Sequence, residues 1–486
     1  MQRAKISAEF SKNNLLVSSE GFEKIIKEKI DVAKVILAAK EKNVWLVTDE
    51  FLQEFVVEPP KEEKEEKVEI IRKGRDIPAK DIEADIKIDT DSDVTGKSTS
   101  EGVIENFVEY FNQKYTELAR ILRGRPNLRD ATLIKNVSDA APVSVIGMVL
   151  AKRESKRGFR FLDIEDPSGQ LTVLISQDKD HLVRIYDSTV TDEVIGVSGR
   201  MHKDLLIAEE IMQPDIPVNH KPNTAEEDVC LACLSDMHVG SYLFLEKEFN
   251  SFLKWLAGDG NRNDLSGRIK YITIAGDLVD GIGIYPNQEY DLALPDIYKQ
   301  YDMLGRFLER IPDYIEVIIA PGNHDAVRRA EPEPQLPRDI CAPLYDLSNV
   351  HMVGNPARVK LHGVDTLVYH GDSMDSLISG IGTLSYSKPE TAMIEYLKRR
   401  HLAPVYNDIA PETKDYMVIK EVPDIFHCGH VHANGYTIYR GVHVINSGTW
   451  QGQTKYQERQ GHMPTPARLP VMNLENHEVT VLHFGG

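Results

Sequence analysis

Three observations predict a multidomain chain that ends in an α/β domain. At 486 residues the chain exceeds what one core fills. Its hydrophobic period turns from helical to strand-like near residue 131, then alternates between strands and helices from Glu226 onward. In that last stretch, apolar strands end repeatedly in Asp, Asn or His. The sequence divides into a small helical docking module (1–58), a charged linker (59–100), a helical connector (101–130), a five-stranded β-domain (131–222) and the α/β domain (223–486).

Each segment has its own reason. In the first, Phe22, Ile25, Ile26, Ile30, Val32, Ala33 and Ile36 keep near-helical spacing, and Thr48 is a good N-cap for a short helix carrying Phe51, Leu52 and Phe55. Pro59-Pro60 opens a tract of dense mixed charge, read as a solvated tether. Ile104, Phe107, Val108, Phe111, Tyr115, Leu118 and Leu122 form one helical face that Gly124 and Pro126 end. Five short strands follow, at 143–150, 159–165, 171–175, 194–199 and 205–208. Gly147 inside the first marks a bulge or bend, and the set resembles an OB-fold barrel. Such barrels bind single strands or dock proteins. Lys152, Arg153, Lys156, Arg157 and Arg160 give this one basic character, with Lys152 and Arg157 the candidate DNA contacts, and Phe159 and Phe161 serve as core or as base platforms.

The totals exclude some classes. Hydrophobic content of 41% and charged content of 27% suit a soluble globular chain. A net charge of −19 argues against holding nucleic acid by bulk electrostatics, so such a substrate needs metals, a local basic patch or a basic partner. Four cysteines make no disulfide framework, and the CxxC of Cys230 and Cys233 lies inside a predicted strand. The N-terminus lacks the apolar core of a signal peptide and no stretch is apolar enough to span a bilayer, which points to a cytoplasmic location.

The chemistry lies in the α/β domain. An unbroken apolar run from Val229 ends in Asp236-Met-His238, whose two side chains project from one side of an extended backbone. Further strands end in Gly276-Asp277-Leu-Val-Asp280, Gly322-Asn323-His324-Asp325, His370-Gly-Asp372 and Gly429-His430-Val-His432. Open α/β sheets present ligands at this end of their strands. Phosphodiester hydrolysis needs a hydroxide nucleophile near neutral pH and charge neutralisation on the phosphate, and two bridged metals supply both. Asp277 is the natural bridge. Asp236, His238 and His432 complete one ion; Asn323, His370 and His430 complete the other. Mixed N and O donors suit two divalent transition metals, Mn first, with Fe, Ni or Zn also accommodated. His324 is then left to protonate the leaving oxygen, with Asp325 able to orient it. Asp280 and Asp372 stay open between supporting partners and ordinary loop carboxylates. Arg328 and Arg329, beside this motif, either steer the DNA strand or pair with Glu331 and Glu333.

The set DxH, GDxxD, GNHD, a lone His and GHxH resembles the signature of the calcineurin-like metallophosphoesterases, whose fold is a two-sheet sandwich flanked by helices. The whole arrangement, with the run Pro321-Gly-Asn-His-Asp-Ala-Val-Arg-Arg-Ala-Glu-Pro, resembles the small subunits of archaeal family-D DNA polymerases. That resemblance implies a 3′–5′ exonuclease that proofreads for a separate large polymerase subunit, acts on single-stranded or mismatched DNA 3′ ends, and reaches a sliding clamp through the complex. The terminal Val479–Phe484 reads as a last strand and not as a clamp-binding peptide. Two other readings compete: a catalytically idle scaffold for the polymerase, and a free-standing metal-dependent phosphodiesterase.

Overall fold

A computed structural model describes Ile6 and residues 9–13, 15–27, 30–42, 44–55, 77–138 and 142–485. The chain forms two units, Met1–Lys73 and Gly74–Gly486.

The first unit is not purely helical. β1 (Leu16–Val17) and β2 (Leu46–Val47) pair in parallel beside the helices Ser19–Lys27, Val32–Glu41 and Asp49–Leu52. The apolar run read as one pattern is carried by two helices, because Asp31 caps the second by accepting the Ala33 N–H. Thr48 caps the third through the Phe51 N–H, and Phe10, Ile25, Val35, Ala39, Val47 and Leu52 close the core.

In the second unit the reading of 59–100 as a tether fails from residue 77; residues 59–76 lie outside the described residues. Residues 78–81 are helical and β3 (Ile86–Ile88) joins the edge of a large sheet. The Lys270 ammonium donates to the carbonyls of Ala79 and Ile82, and Asp93 accepts the Gly354 N–H. The apolar residues Ile82, Ala84, Ile86 and Ile88 alternate, and all four pack on the domain core. That period-2 signal was masked by the charges between them.

The helix Ile104–Arg123 follows. Its buried face is Tyr110, Lys114, Tyr115, Leu118, Ala119 and Leu122, whereas Ile104 and Val108, expected on that face, stand exposed. Lys114 ends on the carbonyls of Ala403 and Pro404. Leu118 and Leu122 pack on barrel residues Ile146, Met148 and Val194, while Tyr110 packs with Tyr396 and Leu397 of the α/β domain. The helix therefore splints the two domains together.

β4 (Val143–Glu154), β5 (Arg160–Asp166), β6 (Gly169–Ile175), β7 (Val194–His202) and β8 (Leu205–Met212) close into a barrel in the order β4-β5-β6-β8-β7. A helix, Asp180–Ser188, lies between β6 and β7. The register shift in β4 falls between Val149 and Ala151, not at Gly147. Gly147 answers to packing instead: a Cβ there would lie 3.0 Å from the Ile164 side chain. Phe159 is exposed and Phe161 lies under the Arg153 guanidinium, so neither ring belongs to the barrel core.

The α/β domain is two six-stranded sheets. Its strands are β9 (Cys230–Leu234), β10 (Ile269–Ala275), β11 (Glu316–Ala320), β12 (Val350–Met352), β13 (Ala357–Leu361), β14 (Val364–Tyr369), β15 (Ile425–Cys428), β16 (Gly435–Tyr439), β17 (Val442–Asn446), β18 (Arg468–Asn473) and β19 (Val479–His483). One sheet runs β12-β11-β10-β9-β18-β19, the other β16-β17-β15-β14-β13-β3. Leu231, Cys233, Tyr271 and Ile318 of the first share a core with Val359, Val368, Ile425 and Ile445 of the second. Helices such as Glu246–Leu256 and Pro389–Arg399 cover the outer faces. Being covered on both sides, β9, β10, β14, β15 and β17 are buried at every residue. Among the described residues no helix is long and apolar enough to cross a membrane.

Candidate metal centre

The loops that leave β9, β10, β11, β14 and β15 meet at one place. The first three strands are parallel neighbours in one sheet, the last two in the other, so both sheets deliver side chains to the same edge. Asp236 and His238 lie beyond the end of β9, and their convergence does not come from extended backbone. Both are left-handed, at φ 49° and 51°, as are Asp277 at 52° and His430 at 62°. Such conformations are strained for residues with side chains and persist where surrounding contacts fix them. Here the Asp236 N–H donates to Gly276 O and the His238 N–H to Asp277 O. Two glycines make the crossing possible. A Cβ on Gly276 would stand 2.5 Å from His370 Nδ1, and one on Gly322 would stand 2.5 Å from Asp277 Oδ1.

All seven expected ligand residues are brought to this edge. His432 Nε2 faces His238 Nε2 across 3.1 Å and Asp236 Oδ1 across 3.4 Å. Asn323 Oδ1 lies 3.0 Å from His370 Nε2. His430 joins His370 and Asp372 in a second group, its ring centroid 5.3 Å from that of His370. Asp277 stands between the two, Oδ2 at 3.6 Å from His238 Nε2 and Oδ1 at 3.4 Å from His370 Nε2.

These residues fit a pair of divalent ions. Asp236 Oδ1 is buried without a hydrogen-bond partner, which is costly unless a cation meets it. His370 Nδ1 lies 2.7 Å from Ala275 O and His432 Nδ1 lies 2.8 Å from the Gln457 amide. The Ala275 carbonyl accepts the His370 Nδ1–H, which orients that ring and frees Nε2, whereas the Gln457 amide N–H donates to His432 Nδ1 and fixes that ring's orientation. The charges agree. Burial pushes the Asp277 carboxyl up, but His370 and His324 outweigh it and hold it well below the usual range. Burial pushes His238 down, yet its bond to Asp280 and the charge of Asp277 bring it up to about 9. His430 likewise reaches about 9 against its burial, through Asp375 and Asp372.

His324 and Asp325 part company. The His324 N–H donates to Asp277 Oδ1, its Nδ1 lies 2.8 Å from the Asp280 carbonyl, and its ring stands edge-on to His238. Asp325 does not orient it. The Asp325 carboxylate accepts from the N–H groups of Gly322 and Leu278 and from the Tyr301 hydroxyl, locking the two loops together. Burial and the charge of Asp277 push Asp325 up to about 7.

Asp280, left open by the sequence, is the centre's main support. Oδ1 lies 3.1 Å from His238 Nδ1, and Gln451 and Gln288 donate to its two oxygens. Gln288, Tyr301 and Gln451 had no sequence signal. Gln457 had one, the capping box Thr454-x-x-Gln457 that starts the helix Lys455–Gln460.

The expected DNA contacts fare unevenly. Arg328 pairs with Glu412 and donates to Pro332 O and Ser98, and Arg329 donates to the carbonyls of Gly283 and Ile284. Neither pairs with Glu331 or Glu333, and both are occupied in holding loops. Lys152 donates to Asp187 O and Thr189 O and lies over the Tyr186 ring. Arg157 is exposed between β4 and β5.

Residues 231–436 match the model of the B-subunit family of DNA polymerases alpha and epsilon, and residues 143–211 match that of the OB-fold nucleic acid binding domain. The DNA polymerase II small subunit of Methanocaldococcus jannaschii is 45% identical over 82% of this chain and 68% of its own length. That of Archaeoglobus fulgidus is 44% identical over 81% and 80%, and that of Methanothermobacter thermautotrophicus 36% identical over 96% and 97%. The chain belongs to the family of archaeal DNA polymerase II small subunits. Among solved structures, an archaeal phosphodiesterase aligns with 52% of this chain and 99% of its own at 13% identity and a TM-score of 0.29.

Proposed function

We propose that this small subunit is a metal-dependent 3′–5′ exodeoxyribonuclease of the calcineurin-like type, working beside a large polymerase subunit. The observation that carries this is the placement of Asp277, one oxygen toward His238 and the other toward His370. A carboxylate so placed is what two adjacent ions must share. Asp236, His238, Asp277 and His432 would hold one, and Asp277, Asn323, His370 and His430 the other, with Mn2+ favoured and Fe, Ni or Zn compatible. When bound, the ions supply Lewis acidity toward the phosphate and acidify water.

The chain's own residues supply the rest. His324, anchored at Nδ1, keeps Nε2 to give a proton to the departing 3′ oxygen. Burial holds it below its ordinary range in the free site, and a bound phosphodiester would raise it toward the working pH. Asp325 keeps Gly322 and Leu278 in place, fixing the loops from which Asn323 and Asp277 both reach His370. With Arg328 and Arg329 engaged in loop contacts, the grip on DNA falls to Arg157, the barrel and the large subunit.

The test is hydrolysis of a 3′-labelled single strand with Mn2+, by the chain alone and with the large subunit, beside Asp277→Asn. Stepwise shortening that Asp277→Asn abolishes supports the proposal. Bound metal with no shortening in either setting leaves a scaffold.

A further inference from the structure

Next to the centre, three carboxyl groups meet, and their basic neighbours are the histidines beside Asp372. Carboxylate oxygens of Glu331, Glu333 and Asp372 lie within 4.8 Å of one another. Glu331 and Glu333 are 1% and 0% exposed. Each of the three keeps one oxygen without a hydrogen-bond partner: Oε1 of Glu331, Oε1 of Glu333 and Oδ1 of Asp372. The contacts they do have are few. Asn355 donates to Glu333 Oε2 at 2.7 Å, the Tyr369 hydroxyl acts on Glu331 while bonded to Ser373, and Asp372 Oδ1 lies 3.5 Å from His370 Nε2 and 3.7 Å from His430 Nδ1. Among the described residues no lysine or arginine forms an ion pair with any of the three.

The two glutamates cannot easily leave. The Glu331 N–H donates to Asp408 O while its carbonyl accepts from Ala410, and Glu333 exchanges both main-chain bonds with Asn355. Their side chains are therefore held inward, where unpartnered charge is strongly disfavoured. Either protons or a cation must resolve this. Without a cation, burial and the neighbouring Asp372 push both glutamates well above the usual carboxylate range. The donor chemistry favours the cation. Three converging hard oxygens, each with a free lone pair, are the set that Mg2+, Ca2+ and Mn2+ take.

We propose that Glu331, Glu333 and Asp372 bind a third divalent cation, of the oxygen-seeking class, separate from the histidine-rich centre. Asp372 makes the two sites adjoin, since it also borders His370 and His430. The site is defined by oxygen donors alone, so it accepts Ca2+ as well as Mn2+, and it goes beyond the two-ion reading.

The test is the metal content of the full chain, stripped with chelator and brought to equilibrium with Mn2+ by dialysis. Wild type should hold about three ions per chain, and Glu331→Gln with Glu333→Gln about two, the lost one being that which Ca2+ replaces in wild type. About two ions in both proteins would overturn the proposal and leave the carboxyls protonated. Asp277→Asn separates the readings: it should empty the histidine-rich centre and spare the Ca2+-replaceable ion. Loss of one ion in the glutamate variant, with a histidine-rich centre that never fills, would keep the third site and reject the two-ion centre. Should the glutamate variant not fold, anomalous diffraction from Mn2+-soaked wild-type crystals decides, a peak among the three carboxyls supporting the site and its absence rejecting it.

Discussion

Asp280 holds a carboxylate oxygen 3.1 Å from His238 Nδ1, and its own main-chain carbonyl lies 2.8 Å from His324 Nδ1. One residue thus sets the ring orientation of an expected metal ligand and of the expected proton donor. Asp280→Asn keeps the volume and removes the charge that raises His238. Metal affinity, read by Mn2+ titration, should fall about 10–100-fold, the usual loss when such a partner is removed. Unchanged affinity would mean that the contact does not tune the ligand.

His324 and Asp325 are adjacent in sequence and differ in what they hold. His324→Ala removes a ring held by one hydrogen bond, to Asp280 O, and an edge contact with His238, so metal content and melting temperature should stay while hydrolysis falls by about 10²–10⁴-fold. Asp325→Ala strips two buried N–H groups and the Tyr301 hydroxyl of their acceptor. It should lower melting temperature as well as activity. A fall in activity alone for both would return Asp325 to a role in the chemistry.

Metal binding should release protons. In the metal-free protein His238 and His430 are raised to about 9, so both rings are protonated at neutral pH, and a ligand must be neutral. The sign follows: a raised pKa means more protons to displace, so affinity should climb as pH rises toward about 9 and level off beyond. Calorimetric titration with Mn2+ in two buffers of different ionisation enthalpy reads the protons directly. Affinity that is flat between neutral pH and that point would exclude these rings as ligands.

Much of the site was legible because its residue types announce themselves. Asp236, His238, Asp277, Asn323, His370, His430 and His432 all stand at strand ends, and buried apolar strands are readable from sequence. Why they converge was not legible. Left-handed backbone at Asp236 and His238 depends on hydrogen bonds to Gly276 and Asp277, more than thirty residues away. The same limit explains Asp280 and Asp325: both are carboxylates near an expected ligand, and only tertiary contacts assign one to His238 and the other to the loop. In the fold, Ile86 and Ile88 carried the right period, but a strand of three residues among charges becomes visible only when the neighbouring sheet edge pairs with it.

Arg328 makes the last case, because sequence proximity to the site suggested DNA and the structure gives it another task. Its guanidinium reaches Glu412, which is 2% exposed and also accepts from Ser98, Thr99 and Ser100, and it donates to Pro332 O and Ser98. This network fastens residues 98–100 to the α/β domain. Arg328→Ala leaves Glu412 with its remaining donors but no positive partner, and hydrogen bonds to charged groups contribute about 1.5–3 kcal/mol each. The guanidinium is 30% exposed, so solvent screening reduces its share and the expected loss is about 1–2 kcal/mol. Urea denaturation should show that loss, while affinity for a single strand, measured by fluorescence anisotropy without metal, should stay within about twofold because the charge is already engaged. A large drop in affinity with unchanged stability would instead restore Arg328 to the DNA path.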